Sequence, residues 1–372
     1  MIFINKTTNP GWTQGYRNPD TCKALSDHIH HISRKKVTVM EVCGTHTVAM
    51  FRHGIRSLLP SCVGLLSGPG CPVCVTPTGD IDALAAVSGN KDVIVATFGD
   101  LMRVPGSTGS FQDRRAEGSD IRVVHSAMDA VTLAMDHPRK QVVFAAVGFE
   151  TTAPTVAAAI IEAERLNVTN FFVYSAHKLT PPAVAAVMGQ GAATVDGLIL
   201  PGHVCAMTGA DYFRDVVQGS GRPAVVTGFD PVDLLRGLAA LIEALESEQT
   251  GLYNAYERAV SAGGNRSAMA LMNRVFTVCD SRWRGLGVIA ASGLALAEPY
   301  SRFDAAREFG LSPLDVPDPP GCACGDILTG AIRPPDCPLF GRACTPSHPV
   351  GPCMVSGEGT CAAYYHYGEG LG

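Results

Sequence analysis

The sequence predicts an α/β protein built from two related Rossmann-like domains with parallel sheets and a third, cysteine-rich domain. Short β-branched runs alternate with helical patterns from residue 37 to residue 246, which is typical of parallel sheets covered by helices on both faces. Apolar residues make up 46% of the chain and charged residues 17%, so sizeable cores can form. Six cysteines near the carboxyl end fall among Gly and Pro without periodicity, and we expect that segment to fold around its sulfur chemistry.

The first domain is expected over residues 37–130. Its predicted strands cover residues 36–42, 65–70, 92–98 and 121–124. Its predicted helices cover residues 47–59 and 80–88. Most of these strands are apolar runs closed by Gly, Pro or a polar residue, as strands buried in a parallel sheet are.

A second domain is expected over residues 131–248, where the same rhythm repeats. Its predicted strands cover residues 141–148, 170–175, 197–200 and 224–228. The helices predicted around them cover residues 127–135, 155–164, 182–189 and 231–245. The third domain is assigned to residues 1–36, with a helix at 20–34, together with 249–372. We predict helices and loops over 249–315.

Charge and hydropathy exclude several classes of protein. The net charge is −5 and there is no long basic run, which argues against binding to nucleic acid through phosphate contacts. The first residues turn polar at once, without the apolar segment of an export signal. Apolar stretches end well before the ~20 residues of a membrane span. We therefore expect a cytoplasmic protein with no membrane segment.

Polar groups follow the predicted strands at their carboxyl ends, where α/β proteins place their sites. These residues are Cys43, Cys71, Asp100, Glu150, His177 and His203. A structural hydrogen-bonding role is the commoner one for any single His. Several such groups converging on one sheet edge favour a functional cleft instead.

The motif at residues 71–74 has the form Cys-Pro-Val-Cys, which allows three interpretations. A structural zinc site needs four ligands, and no second such motif lies nearby. A redox dithiol fits better, since a helix N-terminus would favour its thiolate. Cys43 also ends a strand, and His46 follows three residues later, so the group offers soft ligands to iron as well.

The tail cysteines favour an iron–sulfur cluster. They are Cys322, Cys324, Cys337, Cys344, Cys353 and Cys361. Four thiolates hold a [4Fe–4S] cluster, and two remain for a disulfide or dithiol beside it. A disulfide framework is disfavoured in the cytoplasm, and two zinc sites would leave awkward spacings. The lone cysteines are expected to be ordinary thiols, and these are Cys22, Cys62, Cys205 and Cys279.

Several of these motifs together resemble the HypD family of hydrogenase maturation factors. The matching segments are residues 41–46, 68–75, 97–106, 147–154, 283–287, 337–341, 353–359 and 361–365, together with Cys322. The resemblance runs in order over nearly the whole chain. It implies two α/β domains and a third domain with a [4Fe–4S] cluster like that of ferredoxin–thioredoxin reductase.

The resemblance also implies a function and site roles. Such proteins help to build the Fe(CN)₂CO centre of [NiFe]-hydrogenases, holding iron with the chaperone HypC and receiving cyanide from HypE, which carries it as a thiocyanate. Cys43 is then the iron ligand, Cys71 and Cys74 the redox dithiol, and His46 a residue at or beside the iron. The cluster ligands are expected to be Cys324, Cys337, Cys344 and Cys361, with Cys322 as an alternative to Cys324 and Cys353 free to pair with whichever is left.

Glu150, His177 and His203 are expected to orient or protonate a bound cyanide, on the basis of loop position alone. Two rival functions stay open at this point. One is a thiol–disulfide reductase fed by the cluster, and the other is a passive iron scaffold without a redox cycle. Whether the chain is an enzyme in its own right therefore stays open as well, with an assembly scaffold as the main interpretation.

Overall fold

The computed structural model describes residues 15–190 and 194–368. The first 14 residues of the predicted segment 1–36 therefore lie outside the described residues. The strands are β1 (Val37–Glu41), β2 (Val63–Ser67), β3 (Val93–Thr97), β4 (Ile121–Val123), β5 (Gln141–Ala146), β6 (Phe171–Ser175), β7 (Gly197–Pro201), β8 (Ala224–Thr227), β9 (Leu252–Asn254), β10 (Phe276–Trp283) and β11 (Gly287–Leu296).

The α-helices are α1 (Pro19–Ile32), α2 (Gly44–Arg52), α3 (Pro72–Val75), α4 (Thr78–Ser88), α5 (Phe111–Ala116), α6 (Ala127–Asp136), α7 (Ala153–Arg165), α8 (Thr180–Gln190), α9 (Gly202–Thr208), α10 (Arg214–Ser220), α11 (Pro231–Glu246), α12 (Arg266–Val275), α13 (Ala305–Glu308), α14 (Cys324–Leu328) and α15 (Thr360–Tyr367). Short 3₁₀ turns occupy Gly15–Arg17, Ile55–Leu58, Gly99–Leu101, Ala210–Phe213, Glu298–Phe303, Pro334–Asp336 and Pro352–Met354.

Two parallel sheets confirm the predicted α/β class. The first sheet has the strand order β2-β1-β7-β8-β9, and the second has the order β4-β3-β5-β6. In the first, Val39 of β1 pairs with Leu65 of β2 on one side and Gly197 of β7 on the other. Helices α1 and α11 pack against one face of this sheet, and α6 and α7 pack against the second sheet.

The strands are not divided between the sheets in the order predicted. Residues 37–130 supply β1 and β2 to the first sheet but β3 and β4 to the second. Residues 131–248 supply β5 and β6 to the second sheet but β7 and β8 to the first. The boundary at residue 130 therefore does not separate the sheets, and this part of the prediction is corrected. Periodicity shows that strands alternate with helices, but tertiary packing decides which strands pair.

A β-hairpin replaces part of the helical region predicted over 249–315. Strands β10 and β11 pair antiparallel, from Phe276 opposite Leu296 to Trp283 opposite Gly287. The prediction of only helices and loops there was wrong, because both strands are largely exposed and neither alternates regularly between apolar and polar residues as a half-buried strand does. An isolated bridge between Lys178 and Gly293 joins the hairpin to the end of β6.

One core connects the sheets with the tail. It contains Met40 of β1, Val95 of β3 and Leu200 of β7, and it extends to Cys353 and Cys361. From residue 317 onward the described chain has only short helices and turns, as expected of a segment without periodicity. The tail thus packs directly onto the parts of both sheets that bear the predicted site.

Candidate functional site

Two loops with three of the predicted site cysteines lie side by side. Cys43 follows β1 and the Cys71–Cys74 motif follows β2, and these strands are parallel neighbours. The Gly44 backbone N–H donates to the Gly70 carbonyl over 3.0 Å. A Cβ at Gly70 would lie 2.4 Å from the Cys43 Cα, so only glycine allows this approach of the two backbones. Cys43 is therefore a direct neighbour of the motif.

The two thiols of the motif face each other. Cys71 Sγ accepts a hydrogen bond from the Cys74 backbone N–H over 3.3 Å at the start of α3. The two Sγ atoms are 2.6 Å apart, and both side chains are buried. Burial, followed by contact with the thiols of Cys353 and Cys71, raises the pKa of Cys74 well above its ordinary value. The pair is positioned to form a disulfide when it gives up two electrons.

Cys43 is a buried thiol whose proton is held tightly. Burial raises its pKa to about 11, against hydrogen bonds from the backbone N–H groups of His46 and Thr45, which favour the thiolate. The same donors would stabilise a thiolate bound to a metal ion. A cation that replaced the proton would also remove the cost of burying a negative charge.

The tail reaches back over Cys43 through Glu358. Thr45 Oγ1 donates to Glu358 Oε1 over 2.7 Å, and a Cβ at Gly44 would lie 2.3 Å from the Glu358 carbonyl oxygen. The Glu358 charge also contributes to the raised pKa of Cys43. Sequence reasoning did not select Glu358 as a site residue. The only sequence feature that could have pointed to Glu358 is its place in the tail segment 353–359. Its partner Thr45 lies 313 positions away, so no local pattern relates the two residues.

His46 lies beneath this loop as a neutral side chain. Its Nε2 donates to the Gly228 carbonyl over 3.1 Å, and its Nδ1 is buried without a hydrogen-bond partner among the described residues. Burial lowers its pKa to about 4. Phe229 stacks between two imidazoles, with ring centroids 4.5 Å from His46 and 3.9 Å from the exposed His203. Phe229 was not predicted, since an aromatic residue after a strand gives no functional signal.

Glu150 is connected to the Cys43 loop through Cys205. Its Oε1 accepts hydrogen bonds from the Thr180 backbone N–H, at 2.7 Å, and from the Thr180 hydroxyl, at 3.0 Å. The Tyr212 phenol approaches the same carboxyl, while Oε2 has no partner that meets hydrogen-bond geometry. Burial raises the pKa of Glu150. Burial, with the charges of Glu150 and Cys43, also raises the pKa of Cys205, which is a buried, neutral thiol as predicted.

His177 belongs to a different environment from the other predicted residues. Its ring packs edge-on against Phe276 of the hairpin, with centroids 5.3 Å apart, and it lines a cavity beside Lys178. Burial lowers its pKa to about 3. The structure thus groups Cys43, Cys71, Cys74 and His46 tightly, with His203 and Glu150 at the margin. His177 faces the hairpin instead.

The tail cysteines line one small apolar cavity. Its thiols are Cys322, Cys324, Cys337, Cys344 and Cys361. A Cβ at Gly351 would lie 2.7 Å from both the Cys322 and Cys324 Sγ atoms, so glycine is required to make room for them. The Val350 backbone N–H donates to Cys344 Sγ over 3.3 Å. Five soft donors, an apolar enclosure and a backbone N–H directed at sulfur suit a [4Fe–4S] cluster.

No three His, Cys, Asp or Glu side chains of the described chain are grouped as ligands of one metal ion. A four-iron cluster spaces its thiolates more widely than a single ion does. The number of thiol donors and their softness are therefore the properties that favour a cluster.

Cys353 connects the two groups of thiols. It is fully buried and makes side-chain contacts with Cys74 of the motif and with Cys324 and Cys361 of the tail. Cys324 in turn contacts Cys322. Cys353 therefore lies between the Cys71–Cys74 motif and the thiols of the tail cavity.

Comparison with known proteins decides the family. The family model HypD, described as the hydrogenase formation hypA family, matches residues 20–368. The chain belongs to the HypD family. The HypD match includes both groups of thiols and Glu358. No helix among the described residues is long and apolar enough to cross a membrane.

Relatives in the HypD family align over nearly their whole length. The chain is 42% identical to the hydrogenase maturation factor HypD of Escherichia coli (strain K12), over 95% of this chain and 96% of the relative. It is 41% identical to that of Cupriavidus necator, over 96% and 97%. It is 45% identical to the hydrogenase expression/formation protein HupD of Azotobacter chroococcum mcd 1, over 90% of each chain.

Proposed function

We propose that this protein is a maturation factor that holds an iron ion at Cys43 while cyanide and carbonyl ligands are assembled on it for a [NiFe]-hydrogenase. One observation supports this most directly. Cys43 is a buried thiol that directly adjoins the paired thiols of Cys71 and Cys74 and is covered by the tail at Glu358. Membership of a family of hydrogenase maturation proteins supplies the process in which such a site would act.

Cys43 would act as a soft ligand to the iron, which is the cargo of the protein. Low-spin iron with cyanide and carbonyl ligands accepts thiolates readily. The backbone N–H groups of His46 and Thr45 would hold the bound sulfur. His46 Nδ1, a buried lone pair without a partner among the described residues, would accept a hydrogen bond from a group on the iron or bind it directly. HypC, with its N-terminal cysteine, would supply a further ligand, and HypE would deliver cyanide.

The Cys71–Cys74 pair would supply the two electrons needed to release cyanide from a thiocyanate. The two thiols lose two protons and two electrons and join as one disulfide, while the sulfur of the donor leaves as thiol. Cys353 would then attack Cys74, with which it is in contact, and release Cys71 as a thiol. Cys324 would resolve the mixed disulfide in the same way, and Cys322, the alternative ligand, would then take its place on the cluster. A [4Fe–4S] cluster held by tail cysteines would be the source of single electrons that returns these thiols to the reduced state.

A thiol–disulfide reductase is the second candidate function. The sulfur series from Cys74 through Cys353 to Cys324 is the observation that favours it, because it would serve any disulfide docked at the motif. The two functions differ in their need for Cys43. An iron carrier requires that thiol, and a reductase does not.

The test is an infrared spectrum of the anaerobic complex with HypC, produced with HypE present. We expect cyanide and carbonyl bands from the unaltered chain, no bands from Cys43→Ala, and unchanged bands from the control Cys62→Ala, whose thiol lies in a different core. Undiminished bands in Cys43→Ala would contradict the proposal. Disulfide turnover by the chain alone, unaffected by Cys43→Ala, would favour the reductase.

A further inference from the structure

We propose that a second cavity, between the end of β6 and the β10–β11 hairpin, binds a small zwitterion of the α-amino acid type. The cavity has a volume of about 290 Å³ and is lined by residues after β6, by both hairpin strands and by part of the segment 304–314. It shares no lining residue with the tail cavity. It goes beyond the function proposed above, which does not use it.

A buried ammonium group provides one end of this site. Lys178 lines the cavity and is only 2% exposed. Its Nζ donates to Ser281 Oγ over 2.9 Å, and none of the ion pairs found among the described residues includes it. An ammonium group has three donors, and Lys178 uses one of them on Ser281. The Asp80 carboxylate acts on its charge without a direct hydrogen bond, so two donors remain to offer. A carboxylate in the cavity would satisfy both the donors and the charge.

His177 beside it presents an acceptor. Ser175 Oγ donates its hydrogen to the Leu294 carbonyl over 2.7 Å. The contact of 3.1 Å between His177 Nδ1 and Ser175 Oγ must therefore have the imidazole N–H as donor. His177 Nε2 then keeps a lone pair, and this atom is buried without a partner among the described residues. A donor on the ligand would satisfy it.

Carboxylates provide the opposite end of the site. Asp80 Oδ1 accepts from the Tyr174 phenol over 2.8 Å, and Asp304 Oδ1 accepts from the Ala306 backbone N–H over 2.8 Å. Each of these half-buried side chains has its second oxygen left for a ligand. Asp280 also lines the cavity, with one oxygen bound to the Ala291 backbone N–H.

These charges favour a ligand that has both signs. A simple anion would meet Lys178 but would be repelled by the three aspartates of the lining. A simple cation would meet the aspartates but would be repelled by Lys178 and would leave its two remaining donors unsatisfied. A carboxylate and an ammonium group one carbon apart fit both ends, and the volume admits a small amino acid. Arg282 does not change this balance, since it pairs with Asp315 at the surface.

Binding can be followed through the alkylation rate of Cys279, because this half-buried thiol lines the cavity. The measurement needs no hydrogenase. The full chain, prepared anaerobically, is treated with iodoacetamide in the presence of glycine, L-alanine or L-serine at millimolar concentration. Peptide mass spectrometry then follows each cysteine. We expect at least one amino acid to slow alkylation of Cys279 while Cys22, a half-buried thiol on α1, reacts at its unchanged rate.

The comparison probes are acetate and methylamine, which each have one of the two charges. Equal protection by acetate alone or by methylamine alone would overturn the proposal, and so would the absence of protection by any of the three amino acids. These outcomes need no variant and are decided on the unaltered chain.

Two variants locate the binding groups. Lys178→Met and Asp80→Asn should each weaken protection by about tenfold or more, because each removes a charged hydrogen-bond partner of the ligand. Lys91→Met, at an exposed lysine, should leave protection unchanged. If Lys178→Met does not fold, Asp80→Asn alone tests whether the carboxylates of the lining bind the ligand. Full protection in Asp80→Asn would then contradict the site as described.

Discussion

The two groups of thiols in this protein are held in place by different means. Cys43 and the Cys71–Cys74 motif follow adjacent strands of a parallel sheet, so hydrogen-bonded strand pairs set their positions. The tail cysteines lie in turns and short helices around a cavity, with glycine at Gly351 making room for sulfur. The comparison teaches that backbone pairing alone can position side chains on a sheet, whereas a group built in loops depends on local packing such as the room made at Gly351.

Replacing a predicted cluster ligand should have the largest effect. Cys361→Ala removes a thiol that lines the tail cavity, and we expect loss of nearly all of the ~four irons of the cluster together with their visible absorption. Cys43→Ala should retain both, since its thiol lies outside that cavity. Iron analysis and absorption spectra of anaerobic preparations measure the difference. Equal iron content in the two variants would contradict the separate roles given to the tail cysteines and to Cys43.

The arrangement of Cys43 beside the Cys71–Cys74 motif should instead be sensitive to a side chain added at Gly70. A Cβ at Gly70 would collide with the Cys43 backbone, which regular pairing holds in place, so Gly70→Ala should lower the free energy of unfolding by about 2–3 kcal/mol. The control is Gly89→Ala, where the nearest atom would be 3.4 Å away and the backbone is helical. Urea titrations of both variants give the values. A loss of less than about 0.5 kcal/mol in Gly70→Ala would show that the loops can separate freely.

Alkaline pH should lower the free energy of unfolding, because the buried Cys43 thiol then loses its proton. Its pKa is raised by burial from 9.0 to about 11, so its contribution to stability is complete below pH 9 and is lost as the pH rises through 11. A shift of this size corresponds to about 3 kcal/mol at most. Urea titrations of the unaltered chain and of Cys43→Ala from pH 8 to pH 11 should show a steeper fall for the former. Parallel curves would mean that the thiol is not held as tightly as the structure indicates.

The smallest effect is expected at the contact between the two regions. Thr45→Val removes the hydrogen bond to Glu358, and we expect a loss of about 1 kcal/mol with faster alkylation of Cys43. The reference is Thr277→Val on the exposed strand β10. If Cys43 reacts at the same rate in both variants, the tail does not cover it in solution.

The sequence was enough to place Cys43 beside the Cys71–Cys74 motif, because successive strand ends tend to meet at one edge of a parallel sheet. It was not enough to show that β7 would lie beside β1, since strand partners depend on contacts far apart in the chain. Glu358 and Phe229 were missed for the same reason, as each meets the site only after folding. His177 ends a strand like the others, but the hairpin that covers it could not be foreseen from two weakly patterned, exposed strands.

In the chain, all four strands of the second sheet lie between β2 and β7 of the first sheet. This order determines when each part of the site is made during synthesis. When β1 and β2 leave the ribosome they can pair at once, but β7, the other neighbour of β1, follows only after the whole second sheet has been made. Glu358 emerges later still. Throughout most of translation the Cys43 loop is therefore without its final cover, so a nascent chain would expose Cys43, Cys71 and Cys74 for longer than the cysteines of the tail.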